Sequence, residues 1–371
     1  YAEIYAGTAD LFVYFFGKAV ELLRVKGLTS YISSNSWLRA NYATNLRSYL
    51  RLKTSVRTLI DLGDNKVFAD APDLYPAIHI VEKVSPAPNY QTQTAIFSRN
   101  EGLDNFSNSL RQKTITVSIL HQSDNAWQLE GDNQRDLFNK LAKGRTALSD
   151  VAMGNIFYGI KTGLNEVFVI SEQSRNTLIQ ADPNSTQIIK PFLSGSDLRP
   201  YYQSFQNQWV IFSRRGINIK EYPAVYDYLH KYREGLEPKP KDWSNSTTWK
   251  GRKPGSYEWY ELQDSVDYFL EFSKPKIMWP DITKFPRFSW DETGYYLGNT
   301  GYILVTEDKW LLAYLNSRCA WYLISKLSIA LGERAGLQRY RLIDQYMRPL
   351  PVPAVPDSEK EKLTELAEGL T

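Results

Sequence analysis

The sequence of 371 residues is poor in the side chains that build disulfide frameworks and metal centres. It contains one cysteine, Cys319, and three widely separated histidines, His79, His121 and His230. A single cysteine excludes an internal disulfide framework and a cysteine-rich zinc site, and the histidines form no HExxH motif. This usage fits a protein of a reducing cytoplasm, and it predicts no metal site.

Long apolar runs and phosphate-binding glycine loops are also absent from the sequence. No run approaches the roughly 18 apolar residues of a membrane-spanning helix, and no signal peptide is recognisable, so we expect no membrane partner. Neither GxGxxG nor GxxxxGKS/T, the loops that hold nucleotide phosphates, occurs in the chain. The first residue is Tyr1 rather than methionine and a helix is predicted almost at once, so we expect a fragment whose front part is missing.

Basic and aromatic residues are abundant in one part of the chain, although the overall net charge is only +3. Between residues 199 and 253, 11 Lys or Arg stand against five Asp or Glu, and Trp209, Trp243 and Trp249 lie among them. Basic side chains neutralise phosphates and aromatic rings stack on bases, so this segment is a candidate for nucleic-acid binding. The alternative interpretation is a solvated face with aromatic core residues behind it.

Hydrophobic periodicity predicts an α/β arrangement near the start of the chain. The predicted elements are a helix over 9–24, a strand over 28–33, a helix over 37–50, and strands over 56–62 and 76–84. From about residue 150, short strands alternate with turn residues, which is typical of a mixed α+β domain. Residues 309–347 are predicted to be helical, and GERAGLQRYR (332–341) is interpreted as a polar turn between helices that places Arg or Gln on a groove edge.

Two groups of segments resemble a known enzyme family. TADLFVYFFGKAVELLRVKGLTSYISSNSWLRANYATNLRSYL (8–50) and LIDLGDNKVFADAPDLYPAIHIVEK (59–83) resemble the second half of gamma-class adenine-specific DNA methyltransferases of the Type IIG restriction–modification subgroup. FYGIKTGLNEVFVI, IIKPFLSGSDLRPYY, WYEL, PKIMWPDI and LLAYLNSRCAWY resemble the family's TaqI-like C-terminal target-recognition domain. The ordered set, more than any single motif, carries the resemblance.

The resemblance implies a fold and a domain arrangement. We expect a partial Rossmann-like α/β methyltransferase sheet over residues 1–84 and a connector with short strands over 85–125. A mixed α+β target-recognition domain is expected over 126–355, and the start of a C-terminal helix over 356–371. The partner would be double-stranded DNA.

The resemblance also implies a chemistry for the parent enzyme, which is methyl transfer from S-adenosylmethionine to the exocyclic amine of adenine. Phe68 matches the aromatic residue that stacks on the extruded adenine, and base chemistry in a duplex does require extrusion. The family's Asn-Pro-Pro-Tyr catalytic loop and its cofactor-binding motifs are absent here, so we expect no catalytic residue in this chain and no activity from it alone. Mg²⁺ is expected only if the parent also carries a nuclease domain.

Further residues are predicted to contact DNA, some through the resemblance and some through the basic segment. They are Lys161, Thr162, Ser194, Ser196, Arg199, Arg214, Arg215, Lys250, Arg252, Arg334, Gln338, Arg339 and Arg341. Two other interpretations stay open. The chain is a non-enzymatic specificity module that works with a separate catalytic subunit, or it is a carbohydrate-binding or hydrolytic protein, which would also use many aromatic residues.

Overall fold

The computed structural model describes residues 2–63, 65–71, 74–97, 103–122, 124, 126–243, 248–334 and 337–371. The side chains of residues 132, 133, 135 and 332–334 lie outside this description. Within the described ranges, no helix is both long enough and apolar enough to cross a membrane.

The secondary structure mixes helices and short strands along the whole chain. The helices are α1 (Leu11–Leu22), α2 (Thr44–Lys53), α3 (Phe106–Lys113), α4 (Asp132–Ala142), α5 (Leu148–Val151), α6 (Asn165–Phe168), α7 (Glu172–Ala181), α8 (Pro223–His230), α9 (Arg233–Leu236), α10 (Lys309–Leu315), α11 (Arg318–Leu327), α12 (Asp344–Met347) and α13 (Asp357–Glu368). The strands are β1 (Leu28–Ser34), β2 (Ser55–Asp61), β3 (Pro76–Glu82), β4 (Thr92–Ile96), β5 (Ile115–Val117), β6 (Thr146–Ala147), β7 (Ile156–Tyr158), β8 (Val169–Ser171), β9 (Ile189–Leu193), β10 (Gln208–Ile211), β11 (Lys276–Pro280), β12 (Ile282–Thr283), β13 (Ser289–Asp291), β14 (Tyr296–Leu297), β15 (Gly301–Val305), β16 (Ala330–Arg334), β17 (Leu337–Arg341) and β18 (Pro351–Val352).

The chain folds into two compact units. The first comprises residues 1–151 and 318–354, and the second comprises residues 152–317 and 355–371. The chain therefore enters the second unit, returns to the first, and ends in the second. The functional domain limits expected at residues 84, 125 and 355 remain a proposal.

The first unit is built on a sheet with the strand order β1-β3-β2-β4-β5. Strand β3 is antiparallel to both β1 and β2, and β4 is parallel to β2. Strands β1, β2 and β4 therefore point in the same direction, and their carboxyl ends lie at the same edge of the sheet. Helix α1 contributes Val13, Phe16 and Val20 to the core at helical spacing, as its periodicity predicts.

The helix predicted over 37–50 is only partly correct. Residues 35–38 and 41–43 form two short 3₁₀ turns, and the α-helix begins at Thr44. The buried guanidinium of Arg47 donates hydrogen bonds to the carbonyl oxygens of Trp37 and Ala40, the latter at 2.9 Å. In a continuous helix these oxygens would accept from backbone N–H groups. Here the Arg47 side chain donates to them, and the α-helix begins only at Thr44.

The predicted turn between helices at 332–341 is wrong in its secondary structure. Residues 330–334 and 337–341 form an antiparallel hairpin, with Ala330 opposite Tyr340 and Arg334 opposite Leu337. The ring of Tyr340 packs edge-on against Trp321 of α11, with the ring centroids 5.5 Å apart. Packing of this alternate strand residue on the preceding helix favours strand over the helical continuation that the neighbouring sequence suggested.

The second unit contains two four-stranded sheets, in the orders β14-β9-β10-β8 and β13-β11-β15-β7. Its apolar core is shared between the two sheets and includes Phe168, Leu193, Val210, Met278 and Ile303. Helix α13 lies against α10, where Lys309 contacts Glu368 at 3.3 Å. The mixed α/β character expected from the sequence is therefore confirmed, in the form of several small sheets.

A buried histidine in the first unit gives a testable pH dependence. His79 of β3 is 1% exposed, lies 4.1 Å from the Phe16 ring, and its Nδ1 has no hydrogen-bond partner among the described residues. Burial lowers the pKa of His79 from 6.5 to about 4. The unfolded chain therefore binds this proton more tightly than the folded one, and stability falls as the pH drops from about 6.5 to about 4, by roughly 3 kcal/mol in all.

Replacing His79→Leu is expected to remove most of this pH dependence. The measurement is the free energy of unfolding of the first unit from denaturant titrations between pH 7.5 and pH 4.5. The matched control is His121→Gln, because His121 is exposed and should leave the pH profile unchanged. If the free energy of unfolding depended on pH equally in His79→Leu and in the parent chain, His79 would not be the source of the pH dependence.

Candidate nucleic-acid interface

A pocket of about 200 Å³ lies in the first unit, where the parallel strands end. It is lined by Asn35 after β1, by Asp61 and Gly63 at the end of β2, and by Ile96 and Phe97 at the end of β4. Ligands of open α/β sheets bind at the carboxyl ends of parallel strands, so its position is that of a functional site. The Asp61 carboxylate is held in place by Asn35 Nδ2 and by the Gly63 backbone N–H, each 2.9 Å from Oδ1.

The opposite wall of this pocket comes from the C-terminal part of the same unit. Helix α11 provides Lys326, whose ammonium donates to Glu130 Oε1 at 2.5 Å and to Gln134 Oε1 at 2.9 Å. The β16–β17 hairpin contributes Gln338 and Tyr340. Burial raises the pKa of Tyr340, an effect that a hydrogen bond with Ser325 partly opposes.

The strand-end pocket does not fit S-adenosylmethionine. Its volume of about 200 Å³ is below the roughly 300–1,000 Å³ of pockets for ligands of that size. Asp61 Oδ1 already accepts two hydrogen bonds. This pocket is therefore too small to hold the cofactor as it stands.

A second candidate surface, in the second unit, is a groove of about 470 Å³ between residues 161–166 and residues 251–253. Lys161 is partly exposed and Lys253 fully so, while Gln263 and Asn299 complete the lining. Gly163 lies at the turn with φ of +86°, and a Cβ there would come within 2.8 Å of Arg252 Cδ. Glycine is required at this position for both conformation and space.

The floor of the groove is fixed by a buried arginine. Arg252 is 4% exposed, and its guanidinium donates to five backbone carbonyl oxygens, those of Thr162, Leu236, Glu258, Trp259 and Glu261, at 2.7–3.3 Å. Desolvation lowers the pKa of Arg252 to about 10, so the group remains charged at neutral pH. Its donors join three separate backbone segments, at Thr162, at Leu236 and over residues 258–261.

Comparison with known proteins matches two separate parts of the chain, whose limits differ from those of the two compact units. Residues 1–68 match the Eco57I restriction-modification methylase family, and residues 190–352 match the TaqI-like C-terminal specificity domain. These two parts of the chain are similar to part of a restriction–modification methylase and to a TaqI-like specificity domain. The resemblance stated from the sequence is thereby confirmed.

Two curated Type II methyltransferases align with almost the whole chain. M.BanIII of Aneurinibacillus aneurinilyticus is 24% identical over 394 aligned residues, covering 94% of this chain and 64% of the relative. M.XhoI of Xanthomonas vasicola is 22% identical over 363 residues, covering 93% and 62%. The chain thus spans somewhat less than two thirds of the length of these relatives.

Among solved structures, the Type IIL restriction–modification enzyme MmeI in complex with DNA has the same fold over most of this chain. The TM-score is 0.58 at 13% identity, and the alignment covers 97% of this chain and 44% of MmeI.

The TaqI-like specificity domain crosses the boundary between the two compact units. Residues 318–352 fold in the first unit, together with the methylase segment 1–68, whereas residues 190–317 belong to the second. The β16–β17 hairpin, which lies within the specificity-domain match, therefore lines a pocket together with the ends of β1 and β2, which lie within the methylase match. This packing was not expected from the sequence.

The structure places the DNA-contact residues predicted in the hairpin differently from one another. Gln338 lines the strand-end pocket and Arg341 is exposed. Arg339 is partly buried, and its Nη2 donates to the Leu331 carbonyl at 2.7 Å. The side chain of Arg334 lies outside the described residues.

The predicted contacts of the second unit separate into exposed and structural groups. Ser196, Arg214 and Lys250 are exposed, and Lys250 forms a surface ion pair with Glu234. Thr162 is fully buried, and its hydroxyl bonds Asn165 and the Leu164 amide.

Two further predicted contacts already have structural partners in the second unit. Ser194 is bonded to Asp197, and Arg215 Nη2 donates to the Gln263 carbonyl. Together with Thr162 and Arg252, these side chains shape the loops from which the exposed residues project.

Phe68 is 36% exposed and follows the end of β2, in the loop beyond Asp61. Phe68 is therefore not an ordinary core residue. Asn35 and Asp61, which line the strand-end pocket, were not predicted as site residues from the sequence. Both lie at the ends of predicted strands, where ligands of open α/β sheets commonly bind.

Proposed function

We propose that this chain is the recognition part of a site-specific adenine DNA methyltransferase. It would bind double-stranded DNA and direct the parent enzyme, with S-adenosylmethionine as methyl donor, to the exocyclic amine of one adenine. The observation that carries the proposal is the packing of the specificity hairpin against the methylase strand ends within one unit. This arrangement places the segment proposed to read bases beside the carboxyl ends of the parallel strands, where the substrate of an α/β enzyme binds.

The proposal includes a segment that completes the methylase sheet. Strand β1 is an edge strand, and Leu28, Tyr31 and Ile32 are exposed on it. Leu11, Phe15 and Leu22 of α1 are exposed as well. An open apolar sheet edge of this kind is ordinarily paired or covered. We propose that a Rossmann-like segment carrying the catalytic loop and the methyl-donor site adds to this edge.

On this proposal the chain alone transfers no methyl group and binds no S-adenosylmethionine tightly, which a calorimetric titration with the cofactor tests. Phe68 would stack on the extruded adenine, because its ring is accessible and an aromatic face offsets the lost base stacking. Endonuclease activity and Mg²⁺ would belong to a separate domain of the parent. The exposed β1 edge equally fits a separate catalytic subunit, which is the second candidate function.

The proposal is tested by recovering and sequencing the duplexes that the purified chain retains from a random pool. Replacing Arg341→Ala is expected to relax the preference at a single base-pair position by about 1–3 kcal/mol, because an exposed Arg reads the edge of one guanine. Preferences at the other positions should stay as they are in the parent chain.

The control variant is Lys143→Ala, which removes an exposed positive charge of the first unit outside the hairpin. It should leave the selected sequence unchanged. A chain that retains no preferred duplex contradicts the proposed function. A uniform weakening by Arg341→Ala at all sequences would assign Arg341 to the phosphate backbone instead.

A further inference from the structure

The loop from Ser194 to Arg199 in the second unit is tightly fixed. Residues 195–197 form one 3₁₀ turn, and Asp197 Oδ2 accepts from the Ser194 amide and hydroxyl, both at 2.7 Å. A Cβ on Gly195 would approach the Thr300 carbonyl oxygen to 2.4 Å, so this loop packs directly on the neighbouring backbone. Ser196 is exposed, and its hydroxyl is hydrogen-bonded to the Ser194 hydroxyl at 2.6 Å.

Two arginines from distant parts of the sequence converge on this loop. Arg199 Nη1 donates to the carbonyls of Ser196 at 2.6 Å and Leu198 at 2.8 Å. Arg287 donates to the same two carbonyls, from Nη2 to Ser196 and from Nε to Leu198, each at 2.8 Å. Because they share both acceptors, the two guanidiniums lie side by side.

This juxtaposition leaves positive charge without a matching ion pair. Within the described part of the chain, neither arginine forms a salt bridge with a carboxylate. Asp197 is close enough to favour the charged form of Arg287, but its Oδ2 is engaged by Ser194. Burial and the neighbouring Arg199 charge lower the pKa of Arg287. Arg199 Nε and Nη2 and Arg287 Nη1 have no hydrogen-bond partner among the described residues.

The geometry points to a phosphodiester-binding clamp formed by Arg199 and Arg287. Paired guanidiniums with free N–H groups match the oxygens of a phosphate, and an anion between them relieves their mutual repulsion. The carbonyls of the loop fix the position of both groups before binding. The clamp contacts the DNA backbone and therefore contributes affinity without sequence preference. This inference rests on the proposed function.

The test measures the affinity of the full chain for a 30-base-pair duplex of mixed sequence as a function of NaCl concentration. The double variant Arg199→Gln/Arg287→Gln should lower the slope of log K against log salt by about 0.9, which is one phosphate contact. At fixed salt, binding should weaken about tenfold and equally for all duplex sequences. Ser196→Asp should have a similar effect, since it adds a negative charge beside the clamp and leaves both arginines in place.

The control is Lys362→Gln, which removes one positive charge from the exposed side of α13 and should not change the slope. Circular dichroism and thermal unfolding show whether each variant is folded. If the slope of log K against log salt were unchanged in both the double variant and Ser196→Asp, the two arginines would only stabilise the loop, and the inference would be overturned. A parent chain without salt-dependent duplex binding would overturn the proposed function itself, which is a different result.

Discussion

Replacing Arg252→Ala is expected to destabilise the second unit by about 4–5 kcal/mol, the upper range for a single substitution. The side chain is buried, and the change removes a donor from five backbone carbonyl oxygens, of which those of Thr162 and Glu258 keep a backbone N–H donor from Gln263 and Glu261. A hydrogen bond to a charged group contributes about 1.5–3 kcal/mol, and an unsatisfied buried acceptor costs about 1–3 kcal/mol. The sum is not additive, because the released segments relax together.

The measurement is chemical denaturation followed by the fluorescence of the tryptophans of this unit. Arg252→Lys should recover only part of the loss, since an ammonium has three donors on a flexible stem and cannot reach five carbonyls. The control is the exposed neighbour Lys253→Ala, which should stay within about 0.5 kcal/mol of the parent chain. A loss below 1 kcal/mol in Arg252→Ala would contradict the role assigned to the guanidinium.

Arg252 was predicted to contact DNA, but its contacts in the structure are those of a structural residue. From the sequence it is one basic residue among many in a segment suited to DNA, whereas its contacts make it the support of the groove that Lys161 borders. Arg252→Ala should therefore lose duplex binding only to the extent that it unfolds, and its folded fraction should bind with the same salt dependence as the parent chain. Lys161→Ala, by contrast, should lower the salt dependence in a fully folded protein.

Removing one member of the buried Lys276–Asp291 pair should cost about 3–5 kcal/mol. Both side chains are 0% exposed, and the Lys276 ammonium contacts Asp291 Oδ2 and the Phe272 carbonyl oxygen. Desolvation lowers the pKa of Lys276, although Asp291 opposes this shift. Removing one partner leaves the other charge buried and uncompensated in the core of the second unit.

The two single substitutions are not expected to be equal. Asp291 also accepts from the Thr293 amide and hydroxyl and from the Tyr295 amide, at 2.7–2.9 Å. Asp291→Leu therefore orphans three donors as well as the ammonium, while Lys276→Met leaves a carboxylate that keeps three hydrogen bonds. We expect the aspartate substitution to be the more destabilising by about 1–2 kcal/mol.

A double-mutant cycle on the free energy of unfolding checks this prediction. Lys276→Met/Asp291→Leu should be less destabilised than the sum of the single variants, since no unpaired charge remains. The surface pair Lys274–Glu271 serves as the control, with an expected coupling below 1 kcal/mol. Additive behaviour of the buried pair would show that the ammonium and carboxylate do not interact as described.

Much of the local structure was accessible from the sequence. The spacing of apolar residues predicts α1, and alternating or continuous apolar runs predict β1, β2 and β3, all of which the structure confirms within about two residues. The ordered segments also identified the methylase and specificity parts, because each preserves its own pattern of core residues. Exposure of Phe68 agrees with a strand-end loop, although its stacking role remains a prediction.

Other features were decided only by the tertiary structure. The 332–341 segment forms a hairpin because Tyr340 packs on Trp321, and the helix predicted over 37–50 begins late because Arg47 takes its first carbonyls. Burial of Arg252 and convergence of Arg287 with Arg199 also arise between segments remote in the sequence. Local periodicity encodes which face of an element is buried, so most elements of the first sheet and the family resemblance were accessible without a structure. Which single polar side chain meets which distant carbonyl depends on how the elements pack, and only the folded chain specifies that.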